Sequence, residues 1–315
     1  MEVPVYLFTG FLESGKTKFI QEALEGSDFN AGERTLLLLC EEGEEEYEPA
    51  RFFGKNVFIE PVGEEELNPD HLEKLQRLTR AERVIVEYNG MWLLEKLFQA
   101  MPGNWVIYQE MALFDATTFL AYNQNMRQLV FDKMKTAEMV VFNRCDHSVL
   151  TEEKKLELHK IVRVANRKSQ IIYEFGPDDA EPDNFVDPLP YDLSAPEITV
   201  TDDIYAEWYR DINEEQDKYE GKILKVKGRC ALGGGLPENA FVFGRHVMTC
   251  CVEDIQFAGL LCKWNRAKKL KHGGWVEIKA RVQNEYAEVY GEVGPVLYCQ
   301  EVKASLPADP EVATF

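Results

Sequence analysis

The chain has 315 residues, 45% of them hydrophobic, and a formal net charge of −20. That length suggests two domains, and the acidity argues against general nucleic-acid binding. No apolar run approaches the roughly 18 residues of a membrane helix, and the Met-Glu-Val-Pro start lacks the basic region of a signal peptide. The expectation is a cytoplasmic protein, not membrane-spanning, whose seven cysteines serve as thiols or metal ligands rather than disulfides.

The first strand-like run is Val3–Phe8, short, apolar and β-prone. Gly10 to Thr17 follows, read as GFLESGKT, which fits the phosphate-binding pattern G-x-x-x-x-G-K-[ST]. Phe19, Ile20, Ala23 and Leu24 then recur at helical spacing. A glycine loop between a buried strand and a helix N-terminus turns its N–H groups and a partial positive charge toward an anion. Gly10, Glu13, Ser14, Gly15, Lys16, Thr17 and Lys18 are therefore expected to hold a nucleotide's phosphates. Lys16 would reach the β- and γ-phosphates, and the Thr17 hydroxyl would ligate Mg²⁺. Replacing Lys16 by Ala should abolish binding or turnover and leave the fold intact.

Strand-like and helical runs alternate to about residue 175. Further strands are read at Thr35–Leu39, Val57–Ile59, Arg83–Val86, Trp105–Tyr108, Met139–Phe142 and Gln170–Tyr173, with helices at Pro69–Thr79, Met91–Ala100, Asn123–Thr136 and Thr151–Ala165. This rhythm predicts an α/β fold, a phosphate-loop NTPase with a mostly parallel sheet and helices on both faces.

Three stretches of this region bear on chemistry. Val84-Ile85-Val86 ends in Glu87, the acid at a strand's C-terminal end that can support Mg²⁺ directly or through water. Val140-Val141-Phe142 runs into Asn143-Arg144-Cys145-Asp146. Asn-x-x-Asp after a buried strand fits guanine recognition, in which the Asp carboxylate accepts two N–H bonds from the base edge. Cys40 to Tyr47 follows a strand and is dense in glutamate. It reads either as a solvated acidic loop or as a switch loop in which Glu41 and Glu44 meet Mg²⁺ or position the attacking water.

Residues 2 to about 175 resemble the CobW/HypB/UreG group of phosphate-loop GTPases. The resemblance rests on GFLESGKT, Glu41-x-Gly43-Glu44, Glu87-x-x-Gly90, Asp115-Ala116 and Asn143 to Asp146. It implies slow GTP hydrolysis in the service of metal delivery, nucleotide contacts at Glu13 to Thr17, Asn143 and Asp146, and Mg²⁺ contacts at Thr17 and near Glu87. Two departures stand out. Arg144 replaces the usual Lys of the base-reading motif, and its planar fork is not equivalent to an ammonium. The family's Cys-x-Cys-Cys cargo motif is missing, because no cysteine lies between Cys40 and Cys145.

The domain boundary is expected near residue 176. Residues 177–203, with Pro182, Pro188, Pro190 and Pro196 among aspartates, read as a linker or wrapping arm. Residues 204–315 open with an amphipathic segment, Ile204–Ile212. Strand runs follow at Lys222–Gly228, Ala240–Phe243, Val247–Val252, Gly259–Trp264, Trp275–Val282 and Val296–Val302. The expected fold is a small all-β domain, OB-like, a partly open barrel. Between Lys222 and Arg281 there are twelve Lys/Arg against four Asp/Glu, a local +8 that leaves −28 for the rest. That part reads either as solvated faces or as a surface that docks on the acidic first domain.

Within the second domain, His246 and Cys250 share one face of a strand, and Cys251 points to the other. Thiolate and imidazole favour Zn²⁺, while buried cysteines packed as small hydrophobes are the alternative. Tyr219 to Lys222, Arg245-x-x-Met248-x-Cys250-Cys251-x-x-Asp254, Gly259 to Leu261, Trp275 to Glu277 and the Pro307 region resemble the C-terminal domain of YcgQ-type proteins, which are associated with bacterial permeases. The whole reads as a Mg-dependent GTP-binding protein with slow hydrolysis, coupled to metal-ion handling or to a metal-requiring or permease partner. The alternatives are a nucleotide- and zinc-binding regulatory module with negligible turnover, and an ATP-dependent kinase on the same loop.

Overall fold

Strand β1 (Val3–Thr9) lies inside an eight-stranded sheet built from β2 (Thr35–Leu39), β3 (Val57–Pro61), β4 (Arg83–Glu87), β5 (Trp105–Asp115), β6 (Met139–Asn143), β7 (Gln170–Gly176) and β8 (Asp179–Pro182). In this computed structural model, which describes residues 2–233, 235–249 and 252–315, the order across the sheet is β3-β2-β4-β1-β5-β6-β7-β8. All neighbours are parallel except β7 and β8. The chain divides into two compact units, Met1–Phe185 and Val186–Phe315.

Alternate residues of each central strand enter different cores, which is how a period of two serves a sheet covered on both sides. Leu36, Leu38, Val84 and Val86 pack with Leu72, Leu75, Leu94 and Leu97, from helices α2 (Pro69–Thr79) and α3 (Leu94–Ala100). Leu37, Ile85 and Leu113 face the other way, onto Ile20 and Leu24 of α1 (Lys16–Glu25). Further along the sheet, Ala112, Phe114, Val140 and Phe142 meet Val130 and Leu158. Those two residues come from α5 (Arg127–Met134) and α6 (Glu152–Ala165), and α4 (Phe119–Asn125) precedes them. The sequence reads 123–136 as one helix. The backbone leaves the helical region at Met126, which closes α4 by donating to Tyr122 O at 2.7 Å and opens α5 by accepting from Val130 N at 3.1 Å.

Two of these helices carry side-chain caps. The Asn68 side chain accepts from His71 N at 3.0 Å, ahead of Pro69, and α2 ends at Arg80 in the left-handed region. Thr151 accepts from Lys154 N at the start of α6.

The second unit holds β9 (Ile198–Val200), α7 (Tyr205–Glu214), β10 (Ile223–Ala231), β11 (Ala240–Met248), β12 (Gln256–Lys263), β13 (Trp275–Ala287), β14 (Glu292–Ala304) and β15 (Val312–Thr314). Strands β10, β11, β12, β14 and β13 form a ring, with β13 back on β10. This is the strand order of an OB-type barrel. Its seam is thin: the parallel β12–β14 contact has only the register pairs Cys262–Leu297 and Lys263–Tyr298. β10 alternates buried and half-buried along its length, and Trp208, Tyr219, Phe241, Phe243, Ile278 and Leu297 fill the interior.

The two strand runs expected around Phe243 and Val247 are a single strand, β11. Gly244 interrupts the apolar pattern because β12 passes too close for a side chain: a Cβ there would sit 2.2 Å from Ala258 O. Residues 177–203 contribute β8 to the first sheet and β9 to the second. Arg245 is buried, donates to Asp202 O at 2.8 Å, and lies over the Tyr205 ring at 4.9 Å. It is a tie within the barrel's own packing.

Candidate functional site: a phosphate loop strapped by an acidic segment

The strand order puts the loop after β1 between the C-terminal ends of β4 and β5, where an open α/β sheet leaves its ligand crevice. Gly10 and Gly15 hold φ of +135° and +87°, values at which a side chain is strained. A Cβ on Gly10 would also lie 2.1 Å from Leu113 O. α1 starts at Lys16 directly after Gly15, so the first-turn N–H groups face the loop.

Lys16 is 3% exposed and its ammonium is fully engaged. It donates to Gly10 O at 3.0 Å, to Phe11 O at 2.9 Å and to Glu41 Oε2 at 2.7 Å. The other oxygen of Glu41 accepts from Gly90 N at 3.3 Å. Thr17 Oγ1 donates to Glu87 Oε1 at 2.7 Å, and the Tyr47 hydroxyl donates to Glu87 Oε2. Burial pushes the Glu87 carboxyl above its ordinary value, while the bonds from Tyr47 and Thr17 and the charge of Lys16 pull it back. Glu87 and Thr17 together offer a small set of hard oxygens beside the loop, the donor chemistry that Mg²⁺ takes.

The acidic segment from Glu41 to Glu48 is strapped over the loop. Glu44 N donates to Glu13 Oε1 at 2.9 Å. Glu48 exchanges two bonds with the Gln21 amide, at 3.0 and 3.3 Å. Glu44 is thus placed by its backbone, and its carboxylate is exposed. Cys40 at the head of the segment is buried, and its thiol is pushed up to about 12 by burial, with Glu87 and Glu41 adding to it.

On the other flank, Asn143 Nδ2 donates to Ser14 O at 2.6 Å. Asn143 Oδ1 and Ser14 Oγ are buried without a partner, so the loop and its neighbour hold polar atoms that no protein group satisfies. Arg144 NH1 donates to Glu13 O at 2.8 Å and to Asp115 Oδ2 at 2.6 Å. Burial alone would raise the Asp115 carboxyl, but the bonds from Thr117 and Arg144 outweigh it and hold it below the usual range. A cavity of about 200 Å³ opens beside these groups, lined by Gly15, Lys18, Phe19, Asn143, Arg144, Glu174 and Phe175 among others. Asp146 is not among its lining residues. Its Oδ1 accepts from Ser148 N at 2.7 Å and from Ser148 Oγ at 2.6 Å, which lower its pKa.

Gly10, Glu13, Ser14, Gly15, Lys16, Thr17, Glu41, Glu87 and Asn143 therefore converge, with Lys18 at the cavity wall. Tyr47, Glu174 and Phe175 also belong to this place and carry no motif. Tyr47 is hidden among glutamates, and the other two end a strand whose pattern reports only its burial.

The nucleotide-binding domain model of the CobW/HypB/UreG family matches residues 4–173, more than half of the chain. The chain belongs to the CobW/HypB/UreG family. Within it, this is a two-part chain, for the DUF1980 C-terminal domain matches residues 181–312. Among solved structures, the hydrogenase maturation factor HypB from Archaeoglobus fulgidus is similar at 17% identity, over 55% of this chain and 81% of that one. The TM-score is 0.39, too loose a superposition to build on. No curated protein matches the chain. Unlike the metal-delivering pattern expected of CobW-type domains, this chain has no cysteine between Cys40 and Cys145.

In the second unit, His246 is half-buried in β11 with its ring against Phe257, centroids 5.4 Å apart. Cys250 and Cys251, expected as its zinc partners, lie outside the described residues. Among the described residues no three His, Cys, Asp or Glu side chains are grouped closely enough to hold a metal ion. Among the described residues, too, no helix is long and apolar enough to cross a membrane.

Proposed function

We propose that the first unit is a Mg-dependent GTP-binding switch that hydrolyses GTP slowly and serves metal-ion handling or a transport-related partner. The observation that carries this reading is the joining of three groups at one loop. Lys16 lies on the inner side of the loop, the Thr17–Glu87 pair at its edge, and Asn143 with Arg144 hold its back beside the cavity. Phosphoryl transfer asks little covalent chemistry of a protein and much positioning. Lys16 would neutralise phosphate charge, the helix N-terminus would donate N–H bonds, and Thr17 and Glu87 would hold Mg²⁺, which supplies charge neutralisation at the phosphates.

The guanine preference rests on Asp146. Both Ser148 bonds fall on one of its oxygens, and Asp146 stands three residues after Asn143 in the Asn-x-x-Asp run. A guanine edge presents two N–H donors to such a carboxylate, whereas xanthine presents a carbonyl in place of one of them. Asp146→Asn should therefore lose GTP affinity by at least tenfold and gain xanthosine triphosphate, because a site built for a donor rejects its absence strongly. Titration of the full chain with GTP, ATP and xanthosine triphosphate, with phosphate release followed at saturation, tests the reading. ATP binding equal to GTP, with no exchange of preference in the variant, would overturn it. GTP binding without phosphate release would leave a regulator rather than an enzyme. The link to a metal or transport partner rests on family membership and on the second unit's match.

A further inference from the structure

Two donors meet on one carboxylate in the strapped loop. Glu41 takes the Lys16 ammonium on Oε2 at 2.7 Å and the Gly90 N–H on Oε1 at 3.3 Å. Lys16 is the only one of these that belongs to the phosphate loop. Gly90 belongs to the turn after β4, and it is pressed onto the loop: a Cβ there would lie 2.7 Å from Gly10 O and from Phe11 Cα. An ammonium and a backbone N–H converging from two segments form a receptor for a tetrahedral or planar oxyanion. Here the chain's own carboxylate fills it. The space enclosed by Leu12, Lys16, Thr17, Glu41, Gly43 and Glu87 is about 20 Å³, room for about one water and not for a phosphoryl group.

Glu41 is also the anchor of a longer segment. Beyond it, the strap is held by the Glu44–Glu13 bond, the Tyr47–Glu87 bond, the two Gln21–Glu48 bonds and the Arg51–Glu48 ion pair, with the Tyr47 ring against Phe52. Residues 42 to 46 are exposed along their whole length. Removing Glu41 from Lys16 therefore takes away the strap's charge-paired attachment to the loop and leaves the exposed 42–46 run tied to the loop through the Glu44–Glu13 bond.

We infer that Glu41 is the residue that reads the terminal phosphate: its carboxylate holds that phosphate's place, and a nucleoside triphosphate must expel it and release the 41–48 strap. The inference rests on the nucleotide reading above and names the regulation of the same site. A triphosphate brings a dianionic oxyanion to Lys16 and Gly90 and outcompetes a monoanionic carboxylate. A diphosphate is one phosphoryl group short and leaves Glu41 its bond to Gly90. Expulsion acts as a tax on triphosphate affinity, since only the strap-released population binds it. Removing the charge at position 41 should lift that tax for the triphosphate more than for the diphosphate.

The test uses the full chain with Mg²⁺, a non-hydrolysable guanosine triphosphate analogue, and GDP. Affinities are measured by calorimetry for the wild type and for Glu41→Gln, in which Lys16 keeps its two carbonyl acceptors. Hydrogen exchange of the peptide spanning 41–48 is followed in parallel. The expected result is an analogue affinity at least tenfold tighter in the variant, with GDP changed less than threefold. In the wild type, exchange in 41–48 should rise with the analogue and not with GDP. Equal affinity changes for the two nucleotides, or exchange that the analogue leaves untouched, would overturn the inference. The exchange measurement needs no variant, so it decides even if Glu41→Gln fails to fold. A wild type that binds neither nucleotide fails at the earlier step, where the nucleotide reading itself falls.

Discussion

Lys16 has structural partners in this chain beside the phosphate role proposed for it, so Lys16→Ala is expected to destabilise the first unit as well as to weaken nucleotide binding. Lys16 and Glu41 are 3% and 9% exposed and lie 2.7 Å apart. The pair is asymmetric in what each member keeps when the other is removed. Without Glu41, the ammonium retains Gly10 O and Phe11 O, at 3.0 and 2.9 Å. Without Lys16, the carboxylate retains one 3.3 Å bond from Gly90 N. A carboxylate stranded in that position should cost the fold about 3–5 kcal/mol, the range for breaking a buried pair from one side. Glu41→Gln keeps an acceptor in place and should cost about 1 kcal/mol. In the double variant Lys16→Met with Glu41→Gln no charge is stranded, and most of the lysine's cost should return as a coupling energy of roughly 2–3 kcal/mol.

Because the chain has two units, a single melting curve would mix them. Hydrogen exchange of the β1 and β4 amides, without nucleotide, reports the first unit alone. Equal costs for the two single variants, with a coupling below about 0.5 kcal/mol, would refute the asymmetry. The same measurement governs how any nucleotide-binding loss in a Lys16 variant is interpreted.

Gly90→Ala should destabilise the first unit by about 1–3 kcal/mol, because its Cβ would meet two backbone atoms of the phosphate loop at 2.7 Å. Unchanged β1 exchange in that variant would mean the turn and the loop are not packed as described. Glu110 is buried in β5, accepts from Thr136 at 2.9 Å, and is pushed up by burial to about 7 from an ordinary 4.5. Its folded form holds a proton that its unfolded form releases, so its contribution costs nothing below pH 4.5, grows as pH rises, and is complete above pH 7. Glu110→Gln should therefore stabilise the first unit by up to about 3 kcal/mol at pH 8 and by little at pH 4.5. A variant whose gain does not change with pH would contradict this.

What the sequence makes legible here is what local spacing controls. The phosphate loop needs glycines, a lysine and a hydroxyl at set intervals, and the pattern is visible because the chemistry tolerates no other. Pro69–Thr79 is readable to the residue, since Asn68-Pro69 marks its start and the helical spacing runs out at Thr79, where the structure turns at Arg80. Glu87 and Asn143 are readable because each ends a strand in which every residue before it is apolar or buried. The rest depends on contacts far apart in sequence. Nothing in the run Glu41 to Glu46 tells which carboxylate meets Lys16, 25 positions away. Tyr47 gains its role from Glu87, and Phe175 and Glu174 gain theirs from the cavity that Asn143 and Arg144 open. The strands β8 and β9 sit in a proline- and aspartate-rich stretch, where pairing with β7 and β10 supplies the backbone bonds that the pattern does not advertise.

The charges at the loop constrain how any phosphate can enter. The enclosed space beside Thr17 is lined by two cationic side chains, Lys16 and Arg144, and by four carboxylates, Glu13, Glu41, Glu45 and Glu87. Arg144 is already committed to Asp115 and to the Glu13 carbonyl, which leaves one ammonium and a helix N-terminus on the positive side. A bare triphosphate would add at least three negative charges to a place already rich in them, and a few kcal/mol of like-charge repulsion at short range would follow even at an effective dielectric near 20. On the reading proposed above, two changes would relieve this: Glu41 would leave Lys16, and Thr17 and Glu87 would hold a divalent cation that neutralises phosphate charge. Each would help the other, because Glu41 would free Lys16 for the phosphate while the cation would offset the charge of Glu87. Strap release and Mg²⁺ binding are thus expected as one event, which is the property a nucleotide switch needs: the strap then responds to the metal–triphosphate complex rather than to either component alone.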